Sequence, residues 1–157
     1  MAFIGWFLSD AAIHSYRQTV IQDLLDDVPV TLLMRSDAPV APPDLSVSAL
    51  VYDFIIKTGE SAFPVVEGDR IVGMVSQEDV RKVPRDAWDT TTVRQIMTRA
   101  EQLTVVTPQE NASEALDRLE RSNVRQAPVV QDGRLVGLLR RRDILRWLQM
   151  QSEFVTS

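Results

Sequence analysis

The feature that most restricts the fold is a stretch of 18 residues that the chain contains twice. The copies are FPVVEGDRIVGMVSQEDV at 63–80 and APVVQDGRLVGLLRRRDI at 127–144. In each copy a glycine follows the Pro-Val-Val proline by 9 positions and an aspartate follows it by 15 (64 to 73 and 79; 128 to 137 and 143). Identical internal spacing indicates a true repeat, and units this small must pack together to bury a core.

Each copy predicts a β-hairpin, because alternating apolar residues flank a Glu-Gly-Asp or an Asp-Gly turn. Helical apolar spacing precedes each hairpin, and Asp44 or Ser46 can cap the first of these helices while Gly59 can end it. Val105 and Val106 predict a strand ahead of the second helix, which places Ala115, Leu116 and Leu119 inward. The repeated unit is therefore strand–helix–strand–strand–helix, an α/β (α+β) fold. The predicted helices cover about 46–59, 77–82, 112–119 and a stretch beginning at Asp143.

The spacing of the repeats divides the chain into five parts. A long amphipathic helix is predicted from Phe3 to Asp26, and Pro29 ends it. Its start, MAFIGWFL, is either the hydrophobic beginning of a buried helix or the end of a transmembrane segment that lies mostly outside this chain. The seven residues from Ala2 to Leu8 run without a polar side chain, where roughly 20 are needed to cross a bilayer. The parts are 1–27 (N-terminal helix), 28–83 (first repeat), 84–92 (connector), 93–150 (second repeat) and 151–157 (tail).

Composition restricts the chemistry available to the chain. The net charge is −5, which opposes general binding to nucleic acid because that requires a strongly basic surface. There is no cysteine and one histidine, His14. A catalytic zinc site and a Ser-His or Cys-His nucleophile are therefore both unavailable. We expect no catalytic and no metal-binding residue in this chain.

These repeats resemble CBS domains, whose tandem pair forms a Bateman module. The residues that carry the resemblance are V-x-x-x-M at Val30–Met34 and Val93–Met97, the two Pro-Val-Val sequences, the glycine of each second strand and the closing aspartate. Two further segments, FIGWFLSDAAIHSYRQ at 3–18 and VPRDAWDTTTVRQIM at 83–97, resemble parts of site-2-type intramembrane zinc metalloproteases that carry a CBS pair. It implies a regulatory region at the cytosolic face of the membrane, attached to a membrane-embedded protease domain.

The resemblance to CBS pairs also implies a ligand, an adenosine nucleotide such as AMP, ADP or ATP, bound at the seam between the repeats. The family pattern Gly, two apolar residues, Ser/Thr, two variable residues and Asp is complete in the first repeat, where a Ser hydroxyl suits phosphate and a carboxylate suits ribose hydroxyls. In the second repeat Arg140 replaces the Ser/Thr, and it either contacts phosphates or fills the cleft and pairs with Asp143. The implied first cleft contains Ser76, Asp79, Val105, Val106, Arg125 and Gln126, and the weaker second cleft contains Val40, Ser61, Ala62, Arg140 and Asp143.

Other functions remain open at this level. Ser76 and Asp79 occupy positions where any helix start favours a cap and an acid. The chain could be a ligand-free dimerisation or interaction module, since the family pairs into homodimers through its helices, or a stand-alone CBS protein without a protease. An independent enzyme is disfavoured by the missing nucleophile and base.

Overall fold

The computed structural model describes residues 24–156, and within that stretch each repeat builds one β-hairpin. The first hairpin joins β1 (Ala62–Glu67) to β2 (Arg70–Ser76), and the second joins β4 (Gln126–Gln131) to β5 (Arg134–Arg140). A two-residue strand, β3 (Thr98–Arg99), pairs with β2. The tight turns of the two hairpins contain residues with positive φ angles, namely Gly68, Asp132 and Gly133. Glycine and aspartate adopt this backbone conformation more easily than most residues.

The two hairpins meet through their turn ends. The sheet order is β1-β2-β5-β4, and the contact between the repeats is an antiparallel pairing of Arg70 with Arg134. The amide of Ile71 donates to the carbonyl of Gly133 at 3.2 Å. Each hairpin has a bulge at the same place, between Val65 and Val66 and between Val129 and Val130. The fold therefore repeats the sequence duplication down to the irregularities of its strands.

Helices cover the sheet and close each repeat. The longest of the first repeat, α2, spans 47–58, and its middle, Leu50–Ile55, has the wider π-helical spacing. Ser46, one of the two predicted caps, accepts a hydrogen bond from the Ala49 amide at 3.1 Å, and Gly59 ends the helix with φ +72°. The remaining helices are α1 (Val30–Leu33), α3 (Gln77–Arg81), α4 (Val93–Ile96), α5 (Ala112–Arg121) and α6 (Arg141–Thr156), with single 3₁₀ turns at Arg85–Ala87 and Ala100–Gln102.

The first helix of each repeat packs in the core of the other repeat. Val30 of α1 packs in a cluster with Leu119, Leu139 and Ile144 of the second repeat, whereas Val93 of α4 packs with the buried side chains of the first repeat. Backbone bonds fix both exchanges, since the Val30 amide donates to Glu110 and the Val93 amide donates to Leu45. The cores are therefore interlocked, which explains why units of this size are stable as a pair.

The methionine of each V-x-x-x-M sequence contacts the strand glycine of the other repeat. Met97 and the Thr98 carbonyl lie against Gly73, where an added Cβ would come within 2.4 Å of the carbonyl oxygen. Met34 lies in the same way against Gly137, where an added Cβ would be 2.7 Å from the sulfur. Glycine suits both places because a neighbouring segment passes directly over the strand.

Several sequence predictions differ from the structure. Val105-Val106 forms no extended strand: Val106 makes a single parallel bridge to Val129. The closing helix begins at Arg141 rather than Asp143 and continues through the predicted tail to Thr156, because the pattern of Ile144, Trp147 and Leu148 has no stop signal after it. The predicted helix from Phe3 to Asp26 lies outside the described residues except at its end, where Leu24 and Leu25 are helical.

Candidate functional site

In the first cleft, Ser76 and Asp79 bind each other across the start of α3. The Ser76 side chain accepts a hydrogen bond from the Asp79 amide at 3.4 Å, and Asp79 Oδ2 accepts from the Ser76 amide at 3.0 Å and from the Ser76 hydroxyl at 3.2 Å. This reciprocal arrangement is a capping box, which satisfies backbone donors that the first turn would otherwise leave unpaired. Both side chains are half-buried. Their present contacts are those of a helix cap.

Val105 and Val106, the other first-cleft candidates, have their backbone groups engaged with their own repeat. The Val105 carbonyl accepts a hydrogen bond from Arg118 at 2.8 Å, and Arg118 also pairs with Glu110 at 2.7 Å. The Val106 amide donates to Pro128 at 3.0 Å. These contacts attach the segment to β4 and α5.

In the second cleft, Arg140, which stands where the family pattern has Ser or Thr, pairs with Asp143. Its Nε lies 2.9 Å from Asp143 Oδ2 and its Nη2 lies 3.4 Å from Oδ1, so the pair is bidentate. The Arg140 side chain is only 12% exposed and that of Asp143 16%. This pairing of Arg140 with Asp143 is one of the two alternatives that the sequence left open. Shielding from solvent makes such a bond stronger than a surface ion pair.

A residue that the sequence did not single out, Glu60, completes this network. Arg140 Nη1 lies 3.2 Å from each Glu60 carboxylate oxygen, and Arg35 Nη1 donates to Oε1 at 3.0 Å. The exposed Arg142 also approaches Glu60 Oε2, at 3.9 Å. Three guanidinium groups therefore converge on Glu60, and those of Arg140 and Arg142 connect it to the second repeat. Its partners are distant in sequence, so no local pattern pointed to it.

The two partners of the Arg35–Glu60 bond line two different cavities. The first, of about 360 Å³, is lined by Glu60, Ser61, Gln126 and four arginines. The second, of about 300 Å³, is lined by Arg35, Ser36 and Asp69 together with several apolar side chains. Ser76 and Asp79 line neither cavity. The four arginines are Arg125, Arg140, Arg141 and Arg142, and the apolar side chains include Val40, Val66, Leu135 and Val136.

The structure brings together members of both predicted sets. Ala62 is the strand partner of Ser76, and Gln126 is the strand partner of Arg140. Ser61 of the second set nevertheless shares the arginine-lined cavity with Gln126 of the first set. The segments that precede the two Pro-Val-Val sequences thus face one another at the seam, and Val40 lines the neighbouring apolar cavity.

This arrangement can hold an anion and a flat apolar group side by side. Guanidinium groups bind phosphate and carboxylate oxygens in pairs, and cavities of roughly 300–1,000 Å³ are of the size that takes small ligands. Within residues 24–156, no helix combines the length and apolar character needed to cross a membrane. Among the described side chains, those of residues 24–151, no three potential metal ligands lie close enough to hold an ion.

Comparison with known proteins bears out the resemblance found in the sequence. The chain is 28% identical over 149 residues to a Synechocystis protein named "Putative zinc metalloprotease sll0528", covering 93% of this chain and 39% of that protein. It is also 28% identical over 165 residues to "Putative zinc metalloprotease Rip3" of Mycobacterium tuberculosis, covering 100% of this chain and 42% of that protein. The chain thus spans about two fifths of the length of these relatives.

Solved structures and a family model agree on the fold. The structure of CBSX2 in complex with AMP superimposes with a TM-score of 0.67 at 26% identity, covering 79% of this chain and 98% of that one. The model of the CBS domain matches residues 26–86 and again residues 93–150. The two interlocked hairpin units are therefore CBS domains, and the chain belongs to the CBS domain family as a tandem pair.

Proposed function

We propose that this CBS pair is a regulatory module that binds an adenosine nucleotide at the seam of its repeats and controls or anchors an intramembrane zinc metalloprotease. The observation that carries the proposal is that the ion-paired Arg35 and Glu60 line two different cavities, one with mainly apolar walls and one lined by four arginines. A nucleotide has the same two parts, a flat base and an anionic phosphate. The solved AMP complex of a relative with the same fold supports this choice of ligand.

Two clefts are candidates for the nucleotide. The first keeps the complete family pattern at Ser76 and Asp79, with Val105, Val106, Arg125 and Gln126 as the proposed facing residues. The second has Asp143 and Arg140, with Val40, Ser61 and Ala62 facing them. The cavities favour the second cleft, whereas the family pattern favours the first. Asp79 and Asp143 hold equivalent positions, so substituting each in turn assigns the site.

The link to a protease rests on the two relatives that are named as zinc metalloproteases. The module would lie at the cytosolic face of the membrane, joined to the protease domain through the segment that precedes α1. A nucleotide that favours one arrangement of the repeats would bias that segment, and such coupling requires different affinities for two states.

The test of nucleotide binding is a thermal and chemical denaturation series with AMP, ADP, ATP and S-adenosylmethionine. A ligand that binds only the folded state raises the free energy of unfolding by about 2.7 kcal/mol at a hundredfold excess over its Kd. We expect Asp79→Ala or Asp143→Ala to abolish the shift, and Asp53→Asn, which changes an exposed carboxylate on α2, to leave it intact. No shift with any of the four ligands would refute the nucleotide proposal.

A second function, homodimer formation, is supported by apolar side chains exposed on two helices. Ile56 of α2 is 65% exposed and Tyr52 48%, while Leu145 and Met150 of α6 are 43% and 49% exposed. Exposed apolar patches on helices commonly mark protein interfaces. Sedimentation analysis of the wild type and of Ile56→Glu tests this: we expect the variant to be monomeric, and an unchanged mass would exclude α2 from the interface.

A further inference from the structure

We infer that Glu60 is a built-in competitor for the phosphate-bearing end of a ligand in the arginine-lined cavity. The inference rests on the proposed function in that it concerns the regulation of the same second cleft. With Glu60 in place the cleft is occupied by the protein's own carboxylate. It opens to a ligand whose anionic group replaces that carboxylate at the guanidinium groups.

The charges lining the cavity are unbalanced. Four guanidinium groups line it against the single carboxylate of Glu60. Arg140 has Asp143 as a second partner, and Arg141 has a long, half-exposed contact of 3.6 Å with Glu120. Among residues 24–151, whose side chains the structure describes, no ion pair joins Arg125 to another residue. Positive charge therefore remains available in the cavity, which favours a ligand with two or more negative charges over a neutral one.

The geometry of Glu60 is that of a bound anion. Both of its oxygens lie 3.2 Å from one guanidinium nitrogen of Arg140, and Arg35 and Arg142 approach from other directions. A phosphate group, which is tetrahedral and carries several acceptor oxygens, can take the same donors. The competitor and the ligand would therefore use the same guanidinium groups.

The backbone presents Glu60 from the opposite repeat. Gly59 ends α2 with a left-handed turn, and the Glu60 amide donates to the Thr58 hydroxyl at 3.1 Å. This turn directs Glu60 across the seam toward Arg140, which lies on β5. Removal of Glu60 from the guanidinium groups would leave Arg140 held by Asp143. The exchange of one anion for another thus keeps the arginine in position, and it loosens a contact between the two repeats.

The test is calorimetry on the full chain with two probes, inorganic pyrophosphate and AMP. Glu60→Gln keeps the shape of the side chain and removes its charge. We expect pyrophosphate to bind this variant about tenfold more tightly than the wild type, a difference of about 1.4 kcal/mol. The matched control is Asp89→Asn, which removes the same charge from an exposed position in the connector and should leave the affinity unchanged.

A second variant keeps the inference falsifiable if Glu60→Gln folds poorly. Arg142 is 64% exposed, so Arg142→Gln should fold normally, and we expect it to weaken pyrophosphate binding by threefold or more. Equal affinities for the wild type and Glu60→Gln, or no binding to any variant, would overturn the inference. Tighter pyrophosphate binding without AMP binding would support the inference and exclude AMP as the ligand. AMP binding with the same affinity in the wild type and in Glu60→Gln would support the nucleotide proposal and overturn the inference about Glu60.

Discussion

The two strand glycines offer a matched pair of substitutions whose costs should differ for a structural reason. In Gly73→Ala the new methyl group would lie 2.4 Å from the Thr98 carbonyl oxygen and 2.8 Å from the Met97 sulfur. In Gly137→Ala the nearest atoms are the Met34 sulfur at 2.7 Å and its Cγ at 3.0 Å, with the Arg35 carbonyl at 3.2 Å. A methionine side chain can move, but a backbone carbonyl in a paired strand cannot move cheaply.

The magnitudes follow from these distances. Overpacking a well-packed site costs typically about 1–3 kcal/mol. We expect Gly137→Ala at the low end, near 1 kcal/mol, because Met34 can change rotamer. Gly73→Ala should cost about 3 kcal/mol or more, because the Thr98 carbonyl must shift. This shift weakens the pairing of β3 with β2, which adds roughly the cost of one lost hydrogen bond.

Urea denaturation followed by tryptophan fluorescence measures both free energies of unfolding. Removing the methionine in each background provides the control. Met34→Ala should relieve most of the cost of Gly137→Ala, giving a coupling of about 1 kcal/mol, whereas Met97→Ala should leave most of the cost of Gly73→Ala. Equal costs for the two glycine substitutions, or a larger cost at Gly137, would refute the reasoning.

Two further predictions concern single contacts. Ser46→Ala removes the hydroxyl that caps α2 and should lower the free energy of unfolding by about 1 kcal/mol, whereas Ser48→Ala, inside the same helix, should cost less; equal values in urea titrations would exclude the cap as the cause. Arg134→Ala breaks an ion pair with Asp69 at 3.0 Å, but both side chains are about two-thirds exposed. It should therefore change stability by less than about 0.5 kcal/mol, and a larger loss would indicate that this pair orients the two hairpins.

The sequence was sufficient for features that local chemistry determines. The hairpins, the Ser46 cap and the Gly59 terminus each follow from residues a few positions apart, and the structure confirms all three. The π-helical segment Leu50–Ile55 could not be predicted in this way. Its apolar spacing also fits an ordinary α-helix, so the local pattern does not distinguish the two helix types.

The candidate site was predictable only in part. Arg140 attracted attention because it departs from the family pattern, and its pairing with Asp143 was one of two alternatives. Glu60 could not be found, because its role depends on Arg35 and Arg140, which are 25 and 80 residues away along the chain. A lone glutamate after a helix-ending glycine looks like any solvated surface residue. Only the fold shows that three arginines converge on it.

The exchange of segments between the repeats has a consequence for the order in which the protein can be made. A ribosome that has completed β2 has not yet supplied Thr98 and Arg99, which cover that strand, nor Val93, which fills the first core. The nascent first repeat would therefore expose an unpaired strand edge and an incomplete core until residues 77–99 have emerged, and such edges invite wrong pairing. Synthesis pauses within the connector would prolong that exposure, whereas pauses after α4 and β3 would not.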